Sequence, residues 1–137
     1  MKKIIYKLAA IITFIILISC GNDGASKSST PGDVVKAMIE SIMNENLDGF
    51  IAISLNAKGE NITEKDLKAT KELMSFVKND IEKKGGLKEV AILEERISED
   101  GLNATVILQL IYNNGKKAPE GNTKLIKVDG VWKIKSL

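Results

Sequence analysis

The sequence predicts a segregated α+β domain in which three N-terminal helices pack on a curved, four-stranded antiparallel meander. Apolar residues recur with helical spacing between Thr30 and Lys84. After Gly86, four segments rich in Val, Ile, Leu and Thr follow one another, as expected for strands. The glycines of three turn pairs lie fourteen and fifteen residues apart, which is typical of successive hairpins. Helices and strands separated in this way along a chain pack as a helix layer on one face of a sheet.

The first helix is predicted to begin at Thr30-Pro31-Gly32-Asp33. This segment offers an N-cap hydroxyl, a proline at the first helical position and an acid near the positive end of the helix dipole. The apolar residues of the helix form two neighbouring rows, Val34, Met38 and Ile42, and Val35, Ile39 and Met43. Such a broad stripe requires burial, so we expect it to supply much of the core, with its methionines as packing residues.

Residues 44–49 partly match a calcium-binding loop. Asn46, Asp48 and Gly49 fall at the third, fifth and sixth positions of the EF-hand pattern. The first position is Asn44, and the twelfth, which requires a bidentate glutamate, is Leu55. The pattern therefore favours a turn between two helices, and we expect no metal there.

A short second helix is predicted over residues 47–55 and a longer third helix from Thr63 onward. Thr63 and Asp66 form a capping-box pattern in which aspartate replaces the usual glutamate. Gly85-Gly86 permits a left-handed exit from the third helix. The apolar residues of that helix are expected to share one face: Leu67, Leu73, Met74, Val77 and Ile81.

Four strands are predicted over residues 87–97, 102–112, 123–128 and 131–137. Pro119 and Gly121 predict a bulge or an edge just before the third strand. The connections contain pairs suited to tight, primed hairpin turns: Asp100-Gly101, Asn114-Gly115 and Asp129-Gly130.

The second strand alternates between a core face and a semi-apolar face. On the semi-apolar face, Ile107 and Ile111 indicate either a sheet-mediated partner surface, including a homodimer, or exposed apolar residues of no consequence. On the last strand, Trp132 and Ile134 share a face, and we expect core packing of Trp132 rather than ligand stacking. The core face is expected to carry Leu102, Ala104, Val106, Leu108, Leu110 and Tyr112.

Residues 1–19 are identified as a targeting segment. Three lysines accompany an eleven-residue apolar run, whereas a spanning helix needs about 20 apolar residues. Leu17-Ile18-Ser19-Cys20 closes the run and resembles the lipobox of bacterial lipoproteins. The resemblance implies signal cleavage between Ser19 and Cys20 and a diacylglycerol on the Cys20 sulfur, and the alternative is an anchor helix ending in an ordinary cysteine.

We expect three parts along the chain: a signal peptide (1–19), a lipidated flexible tether (20–29) and a single folded α+β domain (30–137). The tether is small, polar and free of apolar anchors, as flexible coils are. We therefore expect an exported domain that is lipid-anchored at the cell membrane or the outer membrane, with the membrane contact made through lipid on Cys20.

Charge and composition exclude several functions. Lys2, Lys3 and Lys7 are basic residues of the leader, so the chain from Cys20 onward carries 17 basic against 18 acidic residues. This near-neutral balance argues against a nucleic-acid partner. The sequence has no histidine and one cysteine, which excludes His-based catalysis, His-ligated metals and an intrachain disulfide. We expect no cofactor.

The chain from Thr30 to Leu137 resembles the nuclear-transport-factor-two-like (cystatin-like) superfamily, and more specifically the lipoprotein domains known as domain of unknown function 4878. The resemblance lies in Thr30-Pro31-Gly32-Asp33-Val34-Val35, Leu47-Asp48-Gly49-Phe50 and Val128-Asp129-Gly130-Val131-Trp132-Lys133-Ile134. It implies a cone-shaped fold whose concave sheet wraps a possible pocket, and it implies no activity.

Three functions remain open from the sequence. The first is a non-catalytic module that binds a small apolar ligand or an envelope protein. The second is a structural lipoprotein with a filled cone. The third is a His-independent isomerase-like or dehydratase-like enzyme, for which Glu89, Glu94 and Glu95 on the first strand are possible bases, although surface charges are the simpler interpretation. We expect no catalytic residues.

Overall fold

The computed structural model describes residues 29–136 as three helices followed by one antiparallel sheet. Helix α1 spans Pro31–Met43, α2 spans Leu47–Ile53 and α3 spans Leu67–Lys83, preceded by a 3-10 turn, Glu64–Asp66. The strands are β1 (Leu87–Ile97), β2 (Asn103–Tyr112), β3 (Gly121–Val128) and β4 (Val131–Ser136), in the order β1-β2-β3-β4. The predicted α+β class and the meander are confirmed.

Helix α1 is the central packing element. The Thr30 hydroxyl accepts from the Asp33 amide at 3.2 Å, and the Asp33 carboxylate accepts from the Thr30 amide at 3.1 Å. This reciprocal pair is the capping box that fixes where the helix begins. The helix packs on β1, β2 and β4 and on both other helices. Five of its six apolar stripe residues are buried, as the sequence predicts: Val34, Val35, Met38, Ile39 and Ile42.

The turn between α1 and α2 uses its polar residues as caps. The Asn46 side chain accepts from the Gly49 amide at 3.0 Å and so caps α2. Glu45 has a positive φ of 54°, which reverses the chain after α1. The predicted turn between the two helices is confirmed, and it occupies residues 44–46 because α2 begins at Leu47. Helix α2 ends at Ile53, two residues earlier than predicted, because Ser54 and Leu55 pair with other backbone instead.

Of the three turn pairs, only Asp129-Gly130 forms the predicted tight turn, with positive φ at both residues. Asp100 has no positive φ, because its carboxylate accepts from the Leu102 amide at 3.0 Å within a longer loop. At Asn114-Gly115 only the glycine has a positive φ, and the Tyr112 amide donates to the Lys116 carbonyl at 2.9 Å around a three-residue loop. The prediction of three primed turns was therefore wrong at two of them.

The β2–β3 connection contains the predicted irregularity. Ile111 bridges Lys117, whereas Leu108 pairs with Gly121, so one extra residue lies on the β3 side. This is a bulge around Pro119. The strand therefore begins at Gly121, two residues before the predicted start.

The buried core lies between α1 and the inner face of the sheet. It includes Ala104, Val106, Leu108 and Tyr112 of β2 and both Trp132 and Ile134 of β4, as predicted. Leu102 was wrongly placed in this core: it precedes β2 and is 52% exposed. The face predicted for α3 is also wrong at Leu73, which is 41% exposed, because α3 leaves an opening along that side.

Candidate functional site

A pocket of about 490 Å³ opens between α2, the segment that follows it, the start of α3 and the end of β4. This volume lies within the range of sites for small molecules, about 300–1,000 Å³. Most of its wall is apolar and is formed by Phe50, Leu55, Ile62, Ala69, Leu73 and Ile134. The pocket is therefore a candidate binding site for a small, largely apolar molecule.

Long-range pairing of backbone builds the floor of this pocket. Ser54 forms a parallel bridge with Ile134, and the Leu55 amide donates to the Ile134 carbonyl at 2.8 Å. The Lys133 ammonium donates to the Ala52 carbonyl near the end of α2. Since β4 is an edge strand, these contacts attach the segment after α2 to the open side of the sheet.

Ser54 is the least expected polar residue of the site. It is 3% exposed and lines the pocket, and its Oγ is fully buried without a hydrogen-bond partner among residues 29–136. Leaving a buried hydroxyl unpaired costs about 1–3 kcal/mol. Folded proteins pair nearly all such groups, so this one calls for an explanation.

Asp66 places an ionised carboxylate in the same wall. Its Oδ2 accepts from the Thr63 amide at 2.8 Å, from the Thr63 hydroxyl at 3.0 Å and from the Asn56 amide group at 3.4 Å. These bonds lower the pKa of Asp66, with the Thr63 backbone bond as the largest cause and the charge of Lys58 as a smaller one. The capping residue predicted from the sequence is thus also a pocket residue.

The lowered pKa of Asp66 predicts a pH dependence of stability. A carboxyl group whose pKa is lowered by folding stabilises the fold at pH values above its unfolded pKa, which is near 3.8. This contribution is lost as the pH falls through the pKa of the folded state. We expect Asp66→Asn to be less stable than the wild type at neutral pH, with the difference shrinking in acid. Denaturant titrations at neutral and acidic pH measure this, and a difference that does not vary with pH would contradict it.

Thr70 provides a contrast to Ser54 within the same pocket. Its hydroxyl donates to the Asp66 carbonyl at 2.9 Å, so its one proton is already used by the helix. Both residues line the pocket and both are buried. Of these two hydroxyls, that of Ser54 has no partner among residues 29–136, whereas that of Thr70 already donates to the helix.

The first-strand glutamates do not converge on this pocket. Glu94 forms two bonds with the Arg96 guanidinium, at 2.7 and 2.8 Å, and this pairing lowers its pKa. Glu95 accepts from the Gly32 amide at 2.5 Å at the N-terminus of α1. Glu89, Glu94 and Glu95 are all exposed and lie outside the pocket wall. Their interpretation as surface strand charges is consistent with these positions.

The outer face of the sheet is less exposed than the sequence suggests. Ile107 and Ile111 on this face are half-buried. Leu93 and Ile97 of β1 are more exposed, but Ile97 pairs with the core residue Ala104 on the inner face and Leu93 lies at a break in the β1–β2 register. A homodimer or an envelope protein bound through this face stays a prediction.

The lipidation and cleavage residues, Cys20 and Ser19, lie outside the described residues, as does the targeting segment. Within residues 29–136, no helix has the length and apolar character needed to cross a bilayer. In that same part of the chain, no group of three or more Cys, Asp or Glu residues is arranged to hold a metal ion.

Sequence reasoning missed Ser54 as a site residue. No local pattern distinguishes this serine, because its burial arises from pairing with Ile134, which is far away along the chain. Asp66 carried a recognisable signal, but that signal indicated a helix cap and not a pocket.

Comparison with known proteins supports the fold. The family model described as "Domain of unknown function (DUF4878)" matches residues 18–135. A crystal structure from Campylobacter jejuni, provisionally named an NTF2-like transpeptidase, is similar with a TM-score of 0.63 and 16% identity, covering 77% of this chain and 97% of that one. No curated protein sequence matches the chain.

Two further solved structures are more distant. An NTF2-like protein of unknown function from Shewanella oneidensis MR-1 has a TM-score of 0.44 and 22% identity, covering 76% of this chain and 90% of that one. A SEC-C motif-containing protein from Rhodopseudomonas palustris has a TM-score of 0.47 and 14% identity, covering 78% of this chain and 76% of that one.

Proposed function

Since the chain belongs to the family described as a domain of unknown function (DUF4878) and has the NTF2-like fold, we propose that it is a lipid-anchored, exported module that binds a small apolar ligand without chemical turnover. The observation that carries this proposal is the apolar pocket of about 490 Å³ between α2, α3 and β4. The fold supplies the pocket, and the ligand class follows from its lining.

The shape of the sheet supports a cavity rather than a filled cone. Register shifts interrupt the β1–β2 pairing between Ile92 and Glu94 and the β3–β4 pairing between Lys124 and Leu125. Bulges of this kind bend strands and increase their twist. A bent sheet with Ser54 and Leu55 paired alongside its last strand would wrap one side of the pocket, as in a cone.

The chemistry of the pocket supports binding without turnover. A general base should have a pKa near the working pH, but the hydrogen bonds from Thr63 and Asn56 hold the pKa of Asp66 low, so it is a weak base. The Ser54 hydroxyl would need an adjacent base to act as a nucleophile, and the chain contains no histidine. These groups are better suited to orienting a ligand than to transferring a proton.

Photolabelling tests the binding proposal. The full chain in detergent micelles would be irradiated with an aliphatic alcohol that carries a diazirine, and the labelled peptides would be mapped by mass spectrometry. We expect saturable labelling that is concentrated on residues 54–73 and on the end of β4. Labelling spread evenly over the exposed surface, without saturation, would contradict a ligand pocket.

The lipid anchor is proposed from the leader and Cys20. Each buried acyl CH₂ contributes about 0.8 kcal/mol, and two or more chains anchor a protein stably where one does not. We expect Cys20→Ser to abolish incorporation of labelled fatty acid and to leave the leader uncleaved, as judged by autoradiography and intact mass. A Cys20→Ser protein that still took up labelled fatty acid would contradict the assignment.

A further inference from the structure

We infer that the pocket selects ligands that end in an uncharged hydrogen-bonding group, such as a hydroxyl or an amide, and that Ser54 is the residue that recognises this group. The inference rests on the proposed function and assigns the chemical class of its ligand.

The buried hydroxyl of Ser54 is the first observation behind this inference. Its Oγ has no partner within residues 29–136, although the residue lines the pocket. A serine hydroxyl can both donate and accept, and it can be redirected by rotation about one side-chain bond. The Oγ is buried in its present rotamer, so recognition requires this rotation toward the pocket, where a ligand oxygen or amide would pair with a group that is otherwise left unpaired.

The charges around the pocket indicate that the polar end is neutral. A charged group buried beside Ser54 would have a single hydroxyl as its partner, which is insufficient compensation for the loss of water. A carboxylate would also approach the ionised Asp66. Three cations lie nearby. Lys135 is an exposed part of the lining and Lys58 is an exposed residue that already acts on Asp66, so solvent screens both. The Lys133 ammonium is already bonded to the Ala52 carbonyl and does not line the pocket.

Three photoreactive probes with the same diazirine-bearing chain test the ligand class on the full chain in detergent micelles. One ends in a hydroxyl, one in a carboxylate and one in a methyl group. We compare the probe concentrations that half-saturate the labelling of residues 54–73. We expect this concentration to be about fivefold or more lower for the hydroxyl probe than for the other two, because the hydroxyl probe restores one hydrogen bond.

Ser54→Ala and Thr70→Val distinguish recognition from general packing. Both remove a pocket hydroxyl, but the Thr70 hydroxyl is already bonded to the Asp66 carbonyl. We expect Ser54→Ala to lose the preference for the hydroxyl probe and to unfold at a temperature no lower than the wild type, because it deletes an unpaired group. Thr70→Val should keep the preference for the hydroxyl probe, even if this variant unfolds at a lower temperature than the wild type.

The outcomes separate this inference from the function on which it rests. Saturable labelling of the pocket by all three probes with equal affinity, a preference for the carboxylate, or an unchanged preference in Ser54→Ala would overturn the inference and leave the binding function standing. Saturable labelling by none of the probes would overturn both.

Discussion

Replacing Trp132 with alanine is expected to destabilise the domain by about 3–5 kcal/mol, the usual cost of removing a large buried aromatic side chain. Trp132 is 6% exposed and belongs to the core cluster that α1 forms with the sheet. Its ring also lies 5.2 Å from the Lys127 ammonium, which adds a cation–π contact across the β3–β4 pair. Because whole domains are stable by only about 5–15 kcal/mol, this loss is a large fraction of the total.

Phe76→Ala is the matched control for the tryptophan substitution. It also removes an aromatic ring, but Phe76 is 73% exposed on α3. Surface changes of this kind usually alter stability by less than about 0.5 kcal/mol. Urea titration of both variants in a mild non-ionic detergent measures the difference. Equal effects of the two substitutions would mean that the core is not organised around the inner face of β4.

Ala69→Trp is expected to abolish ligand binding while leaving the fold intact. Ala69 lines the pocket from α3 and is exposed, so an indole at this position can enter the opening without displacing core side chains. Occupying the apolar volume removes the surface that a ligand would bury, which is the main source of affinity for such a ligand. We expect labelling of residues 54–73 by the hydroxyl probe to fall by more than tenfold.

Ala52→Trp controls for the added indole. Ala52 is an exposed alanine of α2 that does not line the pocket. We expect the hydroxyl probe to label Ala52→Trp to the same extent as the wild type. If both tryptophan variants lost labelling equally, the site of the probe would lie elsewhere on the molecule.

Much of the fold was predictable because its signals are local. The capping boxes at Thr30 and Thr63 and the primed turn at Asp129-Gly130 each depend on residues within a few positions of one another. Alternation along β2 likewise identified its buried face at Ala104, Val106 and Leu108. Such patterns fix where elements begin and which side of each is apolar.

The candidate site was not predictable, because long-range contacts create it. Whether Ser54 is buried depends on its bridge to Ile134, and whether Leu73 is buried depends on how far α3 lies from β4. Periodicity assigned Leu73 to the core because it matches an apolar face, yet that part of the face borders the pocket opening. Helical periodicity describes one element at a time and cannot locate a gap between two of them.

Native mass spectrometry of the full chain extracted from its own membranes tests the central claim most directly. We predict a population that carries one non-covalent, neutral small molecule, retained in Ala52→Trp and absent from Ala69→Trp. Wild-type protein that is ligand-free in repeated preparations, or a bound molecule that Ala69→Trp retains, would contradict the assignment of the pocket as a binding site.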